Sequence, residues 1–156
     1  MAIDFVRQNV AFANNDGNCA ELLQRMDAAI FNDHLAGETT CVLVVVTPDE
    51  VFGASAGDSG AWLIPASGSL VDLTRGQQRK PFIGTGCMKP VCFRHQATIG
   101  RLLVATDGLL KYASPEQIID ICRQHPTDVA TRRLVELVRY PSGGLPDDVT
   151  LILGEF

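Results

Sequence analysis

The chain has 156 residues, a length that suits one globular domain with a sizeable core. Hydrophobic residues make up 46% of it and charged residues 20%, and no apolar run approaches the roughly 18 residues that a membrane-spanning helix needs. The net charge of −5, without a stripe of Lys and Arg, argues against a nucleic-acid partner. The start lacks a basic segment followed by an apolar one, so we expect a cytoplasmic protein.

The first half of the chain is predicted to be a helical hairpin followed by strands. Apolar residues recur at helical spacing over 4–13 and again over 18–32, where Asn18 and Glu21 have capping-box spacing. Asp16-Gly17 lies in the turn between these helices. Extended segments over 39–47, 51–56, 61–65 and 69–73, separated by turn residues, are typical of hairpins in one antiparallel meander.

The segment Thr74–Lys89 combines glycine, proline and basic residues, which predicts a loop. Its charges favour one of two interpretations. The commoner one is a solvated surface, and the other is a rim that attracts an anionic substrate. In the second case the substrate-binding candidates are Arg75, Arg79 and Lys80.

Two strands are predicted after this loop, over 90–97 and 101–106, and we expect them to pair with each other. The unbroken apolar run Leu102–Ala105 indicates a strand buried on both faces. The run ends on Asp107-Gly108, where glycine would free the backbone to turn and leave the carboxylate at the rim of the sheet. Taken alone, Asp-Gly after a strand is usually only a turn.

The last third of the chain is predicted to hold two helices and a strand. Ser114-Pro-Glu-Gln combines a capping box with proline at the first helical position, and a further helix starts at Thr127. The pair Asp147-Asp148 then opens a last buried strand.

Acidic residues therefore stand at three strand boundaries, at Asp58, Asp107 and Asp147-Asp148. Hard divalent cations such as Mg²⁺ and Mn²⁺ prefer carboxylate oxygens, and two such ions can activate a water for attack on phosphorus. The histidines do not lie at the spacing of soft-metal ligands. This pattern indicates a hard-metal cluster.

Five segments, taken in order, resemble signatures of the protein phosphatase 2C family. They are Gly37-Glu-Thr-Thr, Ala56-Gly-Asp-Ser-Gly-Ala-Trp, Ile83-Gly-Thr-Gly, Leu103-Val-Ala-Thr-Asp-Gly and Pro146-Asp-Asp-Val-Thr. The resemblance runs over about residues 37–153. It implies an α+β fold, an α-β-β-α sandwich of two mainly antiparallel sheets flanked by helices, in an N-terminally truncated version. Residues 1–156 would form a single domain of this kind.

The resemblance also implies an activity, namely Mg²⁺- or Mn²⁺-dependent hydrolysis of phosphoserine and phosphothreonine in proteins by a metal-activated water. By position, Asp107 and Asp147 match ligands of a dinuclear metal centre, and Asp58 matches a carboxylate that helps to hold a third, weaker metal. Gly108 and Asp148, which adjoin the two ligands, are the further metal candidates. A phosphoprotein would be the substrate.

Two departures from the family pattern bear on this activity. The segment between Thr74 and Ile83 is short, so the flap beside the family's active site looks missing, as in the sporulation and stress-response phosphatases of bacteria. Family members also begin with strands that carry a phosphate-binding arginine and an Asp-Gly-x-Gly-Gly motif, whose aspartate bridges both metals. Asp16-Gly17 is the sole early candidate here, and we interpret it as a helix-linking turn. We therefore expect weakened metal binding.

Two functions remain open on the sequence. The first is a phosphoprotein phosphatase, impaired or completed by a ligand from elsewhere. The second is a non-catalytic domain of the same fold that binds a protein partner. Missing first strands would expose sheet edges, so we expect a homodimer or higher oligomer, joined by edge pairing or by the opening helices. The alternative is a monomer whose helical hairpin covers the gap.

Overall fold

The computed structural model describes residues 2–156, apart from the side chains of residues 2, 3 and 10. The chain divides into two compact units, of which the first comprises Met1–Asp58 with Leu73–Ala97 and the second Ser59–Asp72 with Thr98–Phe156. That residues 1–156 form a single domain stays a prediction. Across the described part of the chain, the helices are too short or too polar to cross a membrane.

Five helices, one 3-10 turn and seven strands make up the described residues. In chain order they are α1 (Ala2–Asn9), the 3-10 turn Val10–Phe12, α2 (Asp16–Phe31), β1 (Cys41–Val46), β2 (Glu50–Ala56), β3 (Gly60–Pro65), β4 (Val71–Asp72), β5 (Val91–Gln96), β6 (Gly100–Ala105), α3 (Asp107–Leu110), α4 (Pro115–Gln124), α5 (Thr127–Leu137) and β7 (Leu151–Glu155).

The first unit is a three-stranded antiparallel sheet, in the order β1-β2-β5, with α2 packed on one face. The apolar stripe of α2 forms its core with inward residues of β1 and β2. The buried members include Leu22, Leu23, Met26, Ile30, Leu43, Phe52 and Ala54. Phe5 and Val6 of α1 pack against the same core, so the predicted helical hairpin is confirmed.

The start of α2 differs from the prediction. The helix begins at Asp16, and Asn15 is its N-cap, since the Asn15 side chain accepts a hydrogen bond from the Asn18 N–H at 2.8 Å. Asn18 is thus the donor and not the capping side chain. Two asparagines and an aspartate in a row all suit a cap, so the sequence does not decide between them.

The second unit is a four-stranded antiparallel sheet, in the order β4-β3-β6-β7. Helices α4 and α5 cover one of its faces, and the predicted capping box at Ser114 and Gln117 is present at the start of α4. The core between them is fully apolar. Its buried members include Trp62, Ile64, Leu103, Leu109, Ile118 and Leu134.

Two predicted strand pairings are wrong. Strand β5 pairs with β2, with Phe93 opposite Gly53, and not with β6. Strands β2 and β3 also belong to different sheets, so the corner Gly57-Asp-Ser-Gly60 passes the chain from one sheet to the other instead of closing a hairpin. Periodicity identifies a strand but does not specify its partner, which is why the predicted single meander fails.

Burial of the last two strands also differs from the prediction. In β6, Leu103 and Ala105 are buried, whereas Leu102 and Val104 are half-buried. In β7, Ile152 is 68% exposed, because this strand lies at the edge of its sheet. The prediction of a last buried strand is therefore wrong.

Candidate metal centre

Thr106 joins the two chain segments that carry the predicted metal ligands. Its backbone N–H donates to the Thr150 carbonyl at 3.0 Å, and the Thr150 N–H donates to the Thr106 hydroxyl at 3.0 Å. The same hydroxyl lies 3.0 Å from the Asp148 carbonyl oxygen, to which it donates. Asp107 follows directly in sequence, so these bonds place Asp107 beside the segment 147–150 at one end of the four-stranded sheet.

Position 108 has no room for a side chain, because the backbone of Asp148 approaches it closely. This explains why a glycine occupies the position. A Cβ at this position would lie 2.4 Å from the Asp148 carbonyl oxygen and 3.3 Å from the Asp147 Cβ. Its φ angle is not positive, and the residue lies within the short helix α3. We predicted that glycine is needed here to let the backbone turn, and this reason is wrong. Gly108 is needed because it lets the two acidic segments come close together.

Asp107 differs in exposure from the two acidic residues of the other segment. Asp107 is half-buried and is the first residue of α3, whereas Asp147 and Asp148 are exposed. The Asp147 Oδ1 accepts a hydrogen bond from the Asp148 N–H at 2.8 Å, which orients this side chain. Acidic residues of two chain segments thus lie at the same end of the sheet.

Asp58 belongs to the first unit and has a cationic partner there. The Arg79 guanidinium donates to the Asp58 Oδ2 at 3.2 Å. The side chain of Asp58 is 18% exposed and that of Arg79 is 67% exposed. A surface ion pair of this kind contributes about 1 kcal/mol or less to the free energy of unfolding. A divalent metal ion could therefore displace the guanidinium from the carboxylate.

The other predicted substrate-binding residues, Arg75 and Lys80, are exposed in the same loop. The Lys80 ammonium lies over the Phe82 ring, 5.5 Å from its centroid. The predicted loop over 74–89 is confirmed, except for a single bridge between Thr39 and Ile83.

Asp16 makes a structural ion pair. The Arg94 guanidinium on β5 donates to its Oδ1 at 2.7 Å and also to Glu50 on β2. The hydrogen bond from Arg94 holds the pKa of the Asp16 carboxyl below its usual value. This network ties the start of α2 to the sheet. The prediction that Asp16-Gly17 is a turn between the helices is wrong, because both residues belong to the first turn of α2.

Asp27 is a residue that the sequence interpretation missed. It is 5% exposed, and its Oδ1 accepts hydrogen bonds from the N–H groups of Gly84 at 2.6 Å and Gly86 at 3.1 Å. Its Oδ2 accepts from the Met88 N–H at 3.3 Å. A signal was present, because Asp27 lies four residues after Leu23 and three before Ile30, on the apolar face of α2.

The donor set fits a hard divalent cation in kind, since carboxylate oxygens are the ligands that Mg²⁺ and Mn²⁺ prefer. Within residues 2–156, however, no group of three or more His, Cys, Asp or Glu side chains lies close enough to hold a metal ion. That Asp107 and Asp147 are metal ligands, with Gly108 and Asp148 next to them, therefore stays a prediction.

Comparisons with known proteins were made from sequence and from structure. A scan against protein-family models finds no match, and no curated protein matches in sequence. Solved structures do match. The catalytic domain of the serine/threonine protein phosphatase PstP, in complex with two manganese ions, has a TM-score of 0.80 at 20% identity over 99% of this chain and 80% of that one.

Two further solved structures are similar to this chain in fold. The Ser-Thr phosphatase MsPP from Mycobacterium smegmatis, in complex with cacodylate, has a TM-score of 0.74 at 24% identity over 97% of this chain and 78% of that one. A bacterial serine phosphatase has a TM-score of 0.74 at 23% identity over 90% of this chain. The chain spans 65% of the length of that phosphatase.

The chain therefore has the fold of bacterial serine/threonine phosphatases. This is an α+β fold of two antiparallel sheets flanked by helices. The predicted fold class is confirmed, and so is the resemblance to protein phosphatase 2C as a resemblance of fold. At 20–24% identity the likeness extends to the fold alone.

Proposed function

We propose that the chain is a metal-dependent phosphoserine/phosphothreonine protein phosphatase, or the part of one that carries these ligands. The observation that carries the proposal is the close approach of Thr106 and Gly108, which flank Asp107, to Asp147 and Asp148 at one end of the sheet. The shared fold supports it, because a solved neighbour with that fold is a phosphatase in complex with two manganese ions.

In this proposal Asp107 and Asp147 are ligands of a centre of two divalent cations, Mg²⁺ or Mn²⁺, with Gly108 and Asp148 beside them, and Asp58 serves a third, weaker site. When bound, such ions supply a Lewis acid and a water acidic enough to attack phosphorus at neutral pH. Thr106 fixes the distance between the two ligand-bearing segments through its hydroxyl. The Asp148 N–H orients the Asp147 carboxylate by binding one of its oxygens.

The substrate is proposed to be a phosphoprotein in the cytoplasm. Arg75, Arg79 and Lys80 are exposed cationic side chains on one loop, and they would attract its negative charge. Arg79 already binds a carboxylate, because Asp58 accepts a hydrogen bond from its guanidinium.

The second candidate function is a non-catalytic domain of the same fold that binds a protein partner. It is favoured by one observation, namely that the described residues contain no group of three metal-ligating side chains. Divalent-ion affinity depends on the number of charged ligands, so two carboxylates alone would hold a cation weakly.

Hydrolysis of p-nitrophenyl phosphate separates the two functions. We expect turnover only with added Mn²⁺ or Mg²⁺, and a loss of about 100-fold or more in kcat/KM for Asp107→Asn, because this change removes the charge of one ligand. The matched control is Asp128→Asn, which neutralises an exposed carboxylate on α5 that pairs with Arg132.

The control should leave turnover unchanged. Turnover without metal would contradict the proposed mechanism. A folded protein that shows no turnover at any metal concentration would instead favour the binding domain.

A further inference from the structure

The ion pair of Asp58 and Arg79 joins two parts of the proposed function, since Asp58 is a proposed metal ligand and Arg79 a proposed substrate-binding residue. The Arg79 guanidinium donates to the Asp58 Oδ2 at 3.2 Å, at the long end of the usual range for an N–H···O bond. While the pair is closed, each partner neutralises the charge that the other needs for its proposed role.

Asp58 is the fixed partner of this pair. Gly57, which precedes it, has a φ angle of +104°, and a Cβ at that position would lie 2.5 Å from the Thr40 Cγ2. The backbone before Asp58 therefore has little room to move. The Asp58 side chain is 18% exposed, and a carboxylate that is partly shielded from water is stabilised by a cation close to it.

Arg79 is the partner that is able to leave. Its side chain is 67% exposed, so the guanidinium regains water when it turns away from Asp58. The loop beyond Arg79 is held by other bonds, because the Asp27 carboxylate accepts three backbone N–H groups of residues 84–88. Thr39 and Ile83 add two backbone hydrogen bonds of 2.9 and 3.0 Å. Opening of the ion pair therefore leaves this part of the loop anchored.

We propose that Arg79 is an internal counter-ion of Asp58 that a divalent cation displaces, and that the displaced guanidinium then binds the phosphate of the substrate. The exchange is favourable because an exposed ion pair is weak and a doubly charged ion attracts a carboxylate more strongly than a guanidinium does. Guanidinium groups in turn suit phosphate oxygens, which they bind in a bidentate manner. The inference rests on the proposed function, in which Asp58 serves the third metal site.

Isothermal titration calorimetry with Mn²⁺, in the absence of substrate, tests the first step. Arg79→Gln removes the competing cation, so we expect Mn²⁺ to bind about threefold more tightly, in keeping with the strength of a surface ion pair. Arg75→Gln is the matched control, because it makes the same change on the same loop, and it should leave the Mn²⁺ affinity unchanged. In an Asp58→Asn background, Arg79→Gln should no longer have an effect.

Inorganic phosphate tests the second step, and the expected effect has the opposite sign. At saturating Mg²⁺, Arg79→Gln should weaken phosphate binding about tenfold, because it removes a charged hydrogen-bond donor. A substitution that merely disordered the loop would lower the affinity for both ions. Such a double loss would overturn the proposal, and so would unchanged phosphate binding.

Equal Mn²⁺ affinities of Arg79→Gln and Arg75→Gln would also overturn it. A gain in affinity that persists in the Asp58→Asn background would do the same, since Arg79 would then not act through Asp58. The proposed function fails in a different way, through turnover that is absent or independent of metal. A gain that Asp58→Asn removes, together with weaker phosphate binding, would support the exchange even in a protein without turnover.

Discussion

Asp27→Ala is expected to lower the free energy of unfolding by about 3 kcal/mol, because it leaves three backbone N–H groups without their acceptor. These belong to Gly84, Gly86 and Met88, at 2.6, 3.1 and 3.3 Å from the carboxylate oxygens. Asp27 itself is 5% exposed, so water replaces the lost oxygens poorly on the side of the helix. Urea unfolding followed by circular dichroism measures the change.

Two further variants make this prediction specific. Glu21→Ala removes an exposed carboxylate from the same helix, where it pairs with Arg25, and should cost about 0.5 kcal/mol or less. Asp27→Asn keeps the shape but turns one acceptor into a donor that faces an N–H group, so its loss should lie between the other two. Equal losses for Glu21→Ala and Asp27→Ala would show that the Asp27 carboxylate does not anchor the loop.

Gly108→Ala is expected to destabilise the protein by about 2 kcal/mol, because the added Cβ overlaps backbone that has little freedom to move. The new atom would lie 2.4 Å from the Asp148 carbonyl oxygen. The segment 147–150 would have to shift, and the bonds that Thr106 makes to it would lengthen. We therefore expect weaker Mn²⁺ binding together with the lower stability.

Gly154→Ala is the matched control, because a Cβ at that position of β7 meets nothing within 4 Å. It should be neutral or slightly stabilising, since alanine restricts the unfolded chain. Thermal unfolding of both variants measures the difference. Equal stability of the two would mean that the acidic segments are not held as closely as described.

Local patterns in the sequence predicted most of the elements. The capping box at Ser114, the alternation of β5 and the apolar run of β6 all report short-range geometry, and each element is present. Partners were harder to predict, because pairing depends on which face a whole layer must cover. The predicted partner of β5 was therefore wrong. Strand β7 was predicted to be buried, although Ile152 is exposed.

The candidate site shows the same division. Local patterns placed Asp107 just after β6, but the prediction that Asp147-Asp148 opens the last strand is wrong, since β7 begins at Leu151. The five matched segments gave the roles of both residues as an expectation. Thr106 and Asp27 were not predicted, because each acts through bonds to residues more than 40 positions away. Only the spacing of Asp27 within an apolar stripe hinted that its carboxylate is buried.

Isothermal titration calorimetry with Mn²⁺ alone tests the central claim most directly, namely that Asp107 and Asp147 together hold a divalent cation. The account predicts measurable binding to the unchanged protein, weakened about tenfold or more by Asp147→Asn and equally by Asp107→Asn, and unaffected by Asp128→Asn. Mn²⁺ binding that is the same in all four proteins would contradict it.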